Sequence, residues 1–150
     1  MRNTTPNAPL WRRLAALIYD GFLLFGLLML YGYGVVFLEQ LLLGDGAIEK
    51  SPTAGGNWLV FTGTIVVVGG FYCLFWLKNG QTLGMQAWRL QLKTEDETRI
   101  TLLHCLKRLL AGAVSVAALG AGYWWCLLPR HRTWHDIASQ TRVVVHEKRE

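Results

Sequence analysis

The chain has 150 residues, 52% of them hydrophobic, and a mean hydropathy of +0.26. Its apolar residues form three long runs instead of amphipathic spacing, which favours a small multi-pass membrane protein over a soluble globular domain. The formal net charge is +5, but Lys and Arg flank the apolar runs. Membrane orientation therefore accounts for the basic residues, and nucleic-acid binding is not expected.

The N-terminal residues predict a polar tail over 1–11, followed by a membrane helix over about 12–38. A helix of roughly 20 apolar residues is long enough to cross a bilayer. This run is longer than the apolar part of a signal peptide and contains an acidic residue, so we expect a retained anchor.

Arg13 and Asp20 lie seven residues apart in this first run. On a helix that spacing returns a side chain to almost the same face, ~10 Å further along the axis. A bare carboxylate in hydrocarbon is costly, so Asp20 must face protein or water, find a partner, or carry a proton. Two interpretations stay open: Asp20 fixes helix packing, or it binds or relays an ion while Arg13 favours its charged form.

The second apolar run, about 57–77, has one Trp at each end, Trp58 and Trp76, and follows a predicted loop over 39–56. A third run covers about 109–128, in a helix that begins there or near Leu102, with Thr101 as a possible cap. Alternating apolar and polar residues predict short strands at about 87–93 and 141–146, and residues 146–150 form a C-terminal tail.

The basic residues give an orientation. Six lie within 78–108 and three within the first 13 residues, against one in the 39–56 loop, so the N-terminus and the 78–108 segment are predicted to be cytoplasmic. Three crossings would then place the C-terminus outside. The five basic residues after position 129, and the pairing of the two strands, argue instead for the cytoplasmic side. A third segment that is re-entrant or broken near 119–122 resolves this conflict.

Three motifs in this order resemble the RDD family of small bacterial membrane proteins. The first is Arg13-x-x-Ala16-x-Ile18-x-Asp20, and the second is Gly80-Gln81-Thr82-Leu83-Gly84. The third is Thr133-Trp134-His135-Asp136 with Ser139, Thr141 and the valines after it. The resemblance covers roughly residues 10–145, and it predicts one membrane domain over 12–145. It implies a candidate transporter, because some family members are associated with cation/proton antiport.

The fold class that follows is an all-α membrane protein with three hydrophobic helical segments, the third re-entrant or broken. A small two-stranded β element lies at its cytoplasmic surface. The expected location is the bacterial inner membrane, and the bilayer is the first partner.

His135 and Asp136 form a candidate second titratable pair. The alternative is that Asp136 caps a helix locally or pairs with Arg108, Arg130 or Arg132. Residues 131 and 135, both His, are too few ligands to predict a metal. The turn with Gly80, Thr82 and Gly84 could bind an anion through its N–H groups, or simply return the chain from the membrane to the strand.

The sequence contains no hydrolase triad, P-loop or dinucleotide motif, so neither an enzyme nor a cofactor is expected. Two functions remain. In the first, Arg13, Asp20 and Asp136 line a path for a proton, Na⁺ or another small cation, and the short chain requires a homo-oligomer or a membrane partner to enclose it. In the second, the protein is a structural or accessory subunit in which the same residues fix helix packing.

Overall fold

The structure is a computed structural model that describes residues 7–44, 58–124 and 132–145. This part of the chain is mostly helical, with one small sheet. Its helices are α1 (Leu10–Leu43), α2 (Trp58–Asn79), α3 (Leu83–Ala87), α4 (Leu102–Ala117), α5 (Ala121–Trp124) and α6 (Trp134–Ala138). Its strands are β1 (Leu90–Thr94) and β2 (Thr141–Val145).

Helices α1 and α2 cover the first two predicted apolar segments and confirm that these are membrane-capable helices. Both are long and apolar enough to cross a bilayer, and their most apolar windows are 0% and 6% buried. The core helix of a soluble protein would be mostly buried, so these exposed apolar faces suit a lipid environment. Helix α1 continues five residues beyond the predicted end at 38, because Glu39, Gln40 and the leucines after them are good helix formers.

The described residues belong to two compact units. One contains the chain up to Asp20 and from Tyr72 onward, and we call it the motif unit because it contains all three sequence motifs. The other is Gly21–Phe71. In this second unit the side chain of Tyr31 lies against Gly63, where a Cβ atom would overlap the phenol ring. A small residue at this point allows the two helices to approach closely.

The sheet of the motif unit confirms the predicted strand pair. β1 and β2 run antiparallel, with Leu90 opposite Val145 and Thr94 opposite Thr141. Alternate residues of β1 are buried, as expected for a strand with one face on a core. The predicted N-terminal tail also contributes here, since the N–H of Ala8 donates to the carbonyl of Val143 at 2.9 Å and Ala8 is fully buried.

The third predicted membrane segment is not a single spanning helix. Helix α4 begins at Leu102 after the predicted cap Thr101, and it ends at Ala117. Leu119 and Gly120 have positive φ angles, which interrupt the helical conformation before α5. The 16 residues of α4 rise ~24 Å, less than the ~30 Å hydrocarbon core. Two helices, not three, are therefore membrane-capable in the described residues, and residues 125–128 lie outside them.

The two faces of α4 explain why it stays with the motif unit. Its buried face carries Cys105, Arg108 and Ser115, whereas most of its large apolar side chains are exposed. The exposed residues include Leu103, Leu106, Leu110 and Val114. Cys105 packs in the hydrophobic core of the motif unit, and Arg108 donates to Asp136 and Thr141 of the same unit, so both contacts hold this face of α4 there.

Candidate functional site

Two buried arginines hold the carboxylate of Asp136. Nη1 of Arg13 donates to Oδ2, and Nη1 of Arg108 donates to Oδ1 at 2.6 Å. Asp136 is fully buried, and the two arginine side chains are only 5% and 8% exposed. The three residues come from α1, α4 and α6, so one carboxylate joins the start, the middle and the end of the motif unit.

The local sequence around Asp136 explains its position. Thr133 caps α6: its hydroxyl accepts from the N–H of Asp136, and its own N–H donates to Oδ2, both at 3.4 Å. This reciprocal pair is a capping box, which fixes the carboxylate at the helix start. Thr141 accepts a 2.9 Å hydrogen bond from Arg108 Nη1, and its hydroxyl lies 2.7 Å from that of Ser139. The polar side chains of the closing motif therefore form a buried cluster that accepts hydrogen bonds from the guanidinium groups.

Asp20 is held by the G-x-T-x-G turn. The hydroxyl of Thr82 donates to Oδ2 at 2.5 Å, and the N–H of Gly84 donates to Oδ1 at 2.8 Å. Thr82 also caps α3 by accepting from the N–H of Met85 at 3.1 Å. The carboxylate of Asp20, a residue that is 3% exposed, thus lies at the N-terminus of the short helix α3. The main-chain N–H groups there have no acceptor within the helix, and together with the helix dipole they favour a negative charge. The anion that the turn holds is the protein's own carboxylate.

The two glycines of this turn have different roles. Gly80 has φ +65°, a conformation that suits glycine, and ends α2 by donating to the carbonyl of Trp76 at 2.9 Å. A Cβ at Gly84 would lie 2.9 Å from Asp20 Oδ1 and nearer still to the carbonyl oxygen of Ala16. Only glycine lets α1 approach the turn closely enough for the main-chain hydrogen bond to Asp20.

Arg13 and Asp20 therefore have different partners, although the heptad spacing places them on one face of α1. Arg13 forms its ion pair with Asp136 and donates from Nε to the carbonyl of Ala8 at 3.0 Å. Both hydrogen bonds of Asp20 come from uncharged donors. The sequence prediction that Arg13 and Asp20 share a stripe is compatible with this arrangement, but their partners depend on the tertiary fold.

A cavity of about 70 Å³ lies between the two carboxylate sites. A water molecule occupies ~30 Å³ in the liquid, so the cavity has room for a few waters or one small ion. The guanidinium carbon of Arg108 lies 5.4 Å from the ring centre of Trp76, within range of a cation–π interaction. The polar lining residues are Arg13, Asp20, Trp76, Thr82, Arg108 and His135, and the apolar ones include Ala16, Leu17, Met85, Leu90 and Val143.

The charges next to this cavity are set by burial and by the two arginines. Burial, and then the charge of Arg108, lowers the pKa of His135 to about 3. Burial alone would raise the pKa of Asp136, but the guanidiniums of Arg108 and Arg13 outweigh it and hold that pKa well below its usual range. At neutral pH His135 is therefore uncharged and Asp136 is ionised. The pair does not titrate near pH 7, and the geometry matches the alternative of local pairing with Arg108.

The sequence prediction did not single out two residues of the site. Arg108 was only one of three candidate partners of Asp136, and Trp76 was only a Trp at the end of an apolar run. A signal for Arg108 existed: it lies three residues after Cys105 and seven before Ser115, along one helix face. Residues 130 and 131 lie outside the described chain, and the part described holds no group of three metal-ligating side chains.

The comparisons with known proteins agree with the three motifs. The model of the RDD family matches residues 7–140. No curated protein and no solved structure matches the chain.

Proposed function

The chain belongs to the RDD family, and from this premise we propose that it is a transporter in which Asp20 carries a proton. The observation that carries the proposal is the position of this carboxylate. It is buried in α1, a helix long and apolar enough to cross a membrane, and it borders a cavity. Ionisable side chains within membrane helices characteristically mark ion and proton pathways.

The contacts of Asp20 favour a proton over a metal cation as the transported species. The oxygens of Asp20 accept hydrogen bonds from the Thr82 hydroxyl and the Gly84 N–H, and the partial positive charge on these donor hydrogens repels a cation. Hard cations also bind several oxygens at once. Asp136, the other buried acid among the described residues of the motif unit, forms an ion pair with an arginine through each of its two oxygens. A carboxylate can take up a proton without any further ligand, so protonation of Asp20 is the simplest chemistry that this site supports.

We propose that the protein lies in the bacterial inner membrane and crosses it with α1 and α2. The N-terminal segment, residues 78–108 and the C-terminal strand would then share the cytoplasmic side. The support is that β1, β2 and Ala8 pair within one unit, and that 14 of the 15 Lys and Arg residues flank or belong to these segments. Positive residues are retained in the cytoplasm. Trp11 and Trp88, whose ring centres are 5.6 Å apart, suit the interface at this end of α1.

A proton path also requires more protein than two spanning helices provide. We therefore propose a homo-oligomer or a membrane partner as part of the transporter. The large apolar side chains exposed along α1 and α2 leave room both for lipid and for such contacts.

The second candidate is a structural or accessory subunit. One observation favours it: the Asp136 carboxylate accepts hydrogen bonds from two arginines on separate elements, which is what a packing device requires. In this case the hydrogen bonds between Asp20 and the turn likewise fix how α1 packs.

Proton movement in liposomes separates the two candidates. The purified full-length chain is reconstituted with a pH-sensitive dye inside the vesicles, and a pH jump is applied outside with and without Na⁺ or K⁺. We expect dye response with the wild type, none with Asp20→Asn, and an unchanged response with Asp96→Asn, since Asp96 is exposed in a turn. A folded wild type that moves no H⁺, Na⁺ or K⁺ would leave the accessory role.

A further inference from the structure

The cavity beside Asp20 has a hydrogen-bond donor that no described residue uses. Nε1 of Trp76 is buried and has no acceptor in the described chain. Arg108, whose Nη1 donates to Asp136 and Thr141, adds a positive charge next to this donor. Both side chains line the cavity. Buried donors without an acceptor are unfavourable, so the cavity is suited to a ligand that accepts hydrogen bonds.

The charge of the cavity indicates the sign of this ligand. Arg13 and Arg108 contribute two positive charges, and Asp136 neutralises one of them. His135, the other titratable lining residue that faces them, is uncharged at neutral pH. Asp20 balances the second positive charge only while it is ionised. When Asp20 takes up a proton, the site retains one uncompensated positive charge.

We propose that the cavity binds one small monovalent anion of halide size, between Arg108 and Nε1 of Trp76, when Asp20 is protonated. This inference rests on the proposed function and extends it, because the transported species become a proton together with an anion. The cavity volume of about 70 Å³ matches a small ion.

Binding of the proton and of the anion is then coupled. Protonation of Asp20 removes a negative charge that would repel the anion, so it raises the affinity for the anion. By linkage, the anion favours the protonated form of Asp20 by the same factor. The site is neutral when Asp20 is ionised and no anion is bound, and it is neutral again when Asp20 is protonated and the anion is bound, so this exchange avoids an uncompensated buried charge.

The test measures anion binding to the purified full-length protein. Thermal unfolding is followed in detergent while sodium chloride replaces sodium gluconate at constant ionic strength, because a ligand that binds the folded state raises the midpoint. We expect chloride to raise the midpoint of the wild type. Trp76→Phe keeps an aromatic ring beside Arg108 but lacks the N–H, so it should bind chloride about tenfold more weakly. Trp58→Phe is the matched control, since Trp58 is 71% exposed in the other unit.

A second variant keeps the proposal testable if Trp76→Phe does not fold. Asp20→Asn imitates the protonated carboxyl group, so it should bind chloride more tightly than the wild type at pH 7. A wild type and an Asp20→Asn variant without any chloride-dependent midpoint would overturn the inference and leave a cavity that holds water only. Proton flux in liposomes without chloride dependence would also overturn it while preserving the proposed function. Chloride binding without proton flux would instead refute the proposed transport.

Discussion

The main-chain N–H of Gly84 donates a 2.8 Å hydrogen bond to the carboxylate of Asp20. A side chain on a membrane-capable helix is thus recognised by the backbone of a turn 64 residues later. The contact requires that no Cβ atom stands between the two elements. The contact therefore requires both the glycine of the turn and the acid of α1.

Gly84→Ala should destabilise the protein by about 1–3 kcal/mol, because a methyl group there would overlap the Ala16 carbonyl and the Asp20 carboxylate. The helix and the turn would have to separate. Thermal or denaturant unfolding in detergent measures the effect. Gly112→Ala is the control: its Cβ would meet nothing within 4 Å, and alanine favours a helix by up to about 1 kcal/mol. Equal stability of the two variants would refute the close contact.

Asp136→Asn should cost about 3–5 kcal/mol, since it leaves the guanidiniums of Arg13 and Arg108 buried without a countercharge. The expected signs are a low folded yield and an early unfolding midpoint in detergent. Glu97→Gln is a suitable comparison, because the Glu97 side chain is 73% exposed in its ion pair with Arg142. Such exposed pairs contribute at most about 1 kcal/mol. If Asp136→Asn unfolded like Glu97→Gln, the carboxylate would not organise the unit.

His135 should make the protein less stable as the pH falls. Its pKa is about 3 in the folded protein and 6.5 in the unfolded chain. Between these values the unfolded chain binds a proton that the folded state does not, so the free energy of unfolding decreases by roughly 1 kcal/mol per pH unit. The low pKa of Asp136 adds a further loss only below its ordinary pKa of 3.8. Between pH 6.5 and 4.5 His135 therefore contributes to the fall in stability, whereas Asp136 does not.

The measurement is the unfolding midpoint of the wild type and of His135→Asn across this window. The variant has no imidazole to protonate, so its stability should fall less steeply with decreasing pH than that of the wild type. Parallel pH profiles for the two proteins would show that His135 is not buried in its neutral form.

The elements of the motif unit could be predicted because their signals are local. Alternation of apolar and polar residues identified both strands, and Thr101 identified the start of α4. The sequence also predicted a broken third segment near 119–122, and the positive φ angles at Leu119 and Gly120 lie at that point. A third hydrophobic helix is not confirmed, because a run of apolar residues does not by itself determine whether one helix spans it.

The partners within the site could not be predicted for a different reason. Helical spacing placed Arg13 and Asp20 on one face, but the acid that Arg13 binds lies 123 residues away. Such a pairing depends on how α1, α4 and α6 pack, which no local pattern encodes. Trp76 shows the same limit: its position in α2 was evident, whereas its contact with Arg108 arises only in the fold.

The orientation of the chain gives a last prediction. The N–H of Ala8 donates to the carbonyl of Val143, so the proposed pair of crossings requires both ends of the described chain to lie on the same side of the membrane. From the positive charges we expect that side to be the cytoplasm. Single cysteines at positions 50 and 142, in a variant whose native cysteines are replaced, should differ in intact cells. A reagent that does not cross the membrane should label position 50 once it reaches the periplasm, and position 142 only after lysis. Labelling of both positions without lysis would refute a pair of crossings.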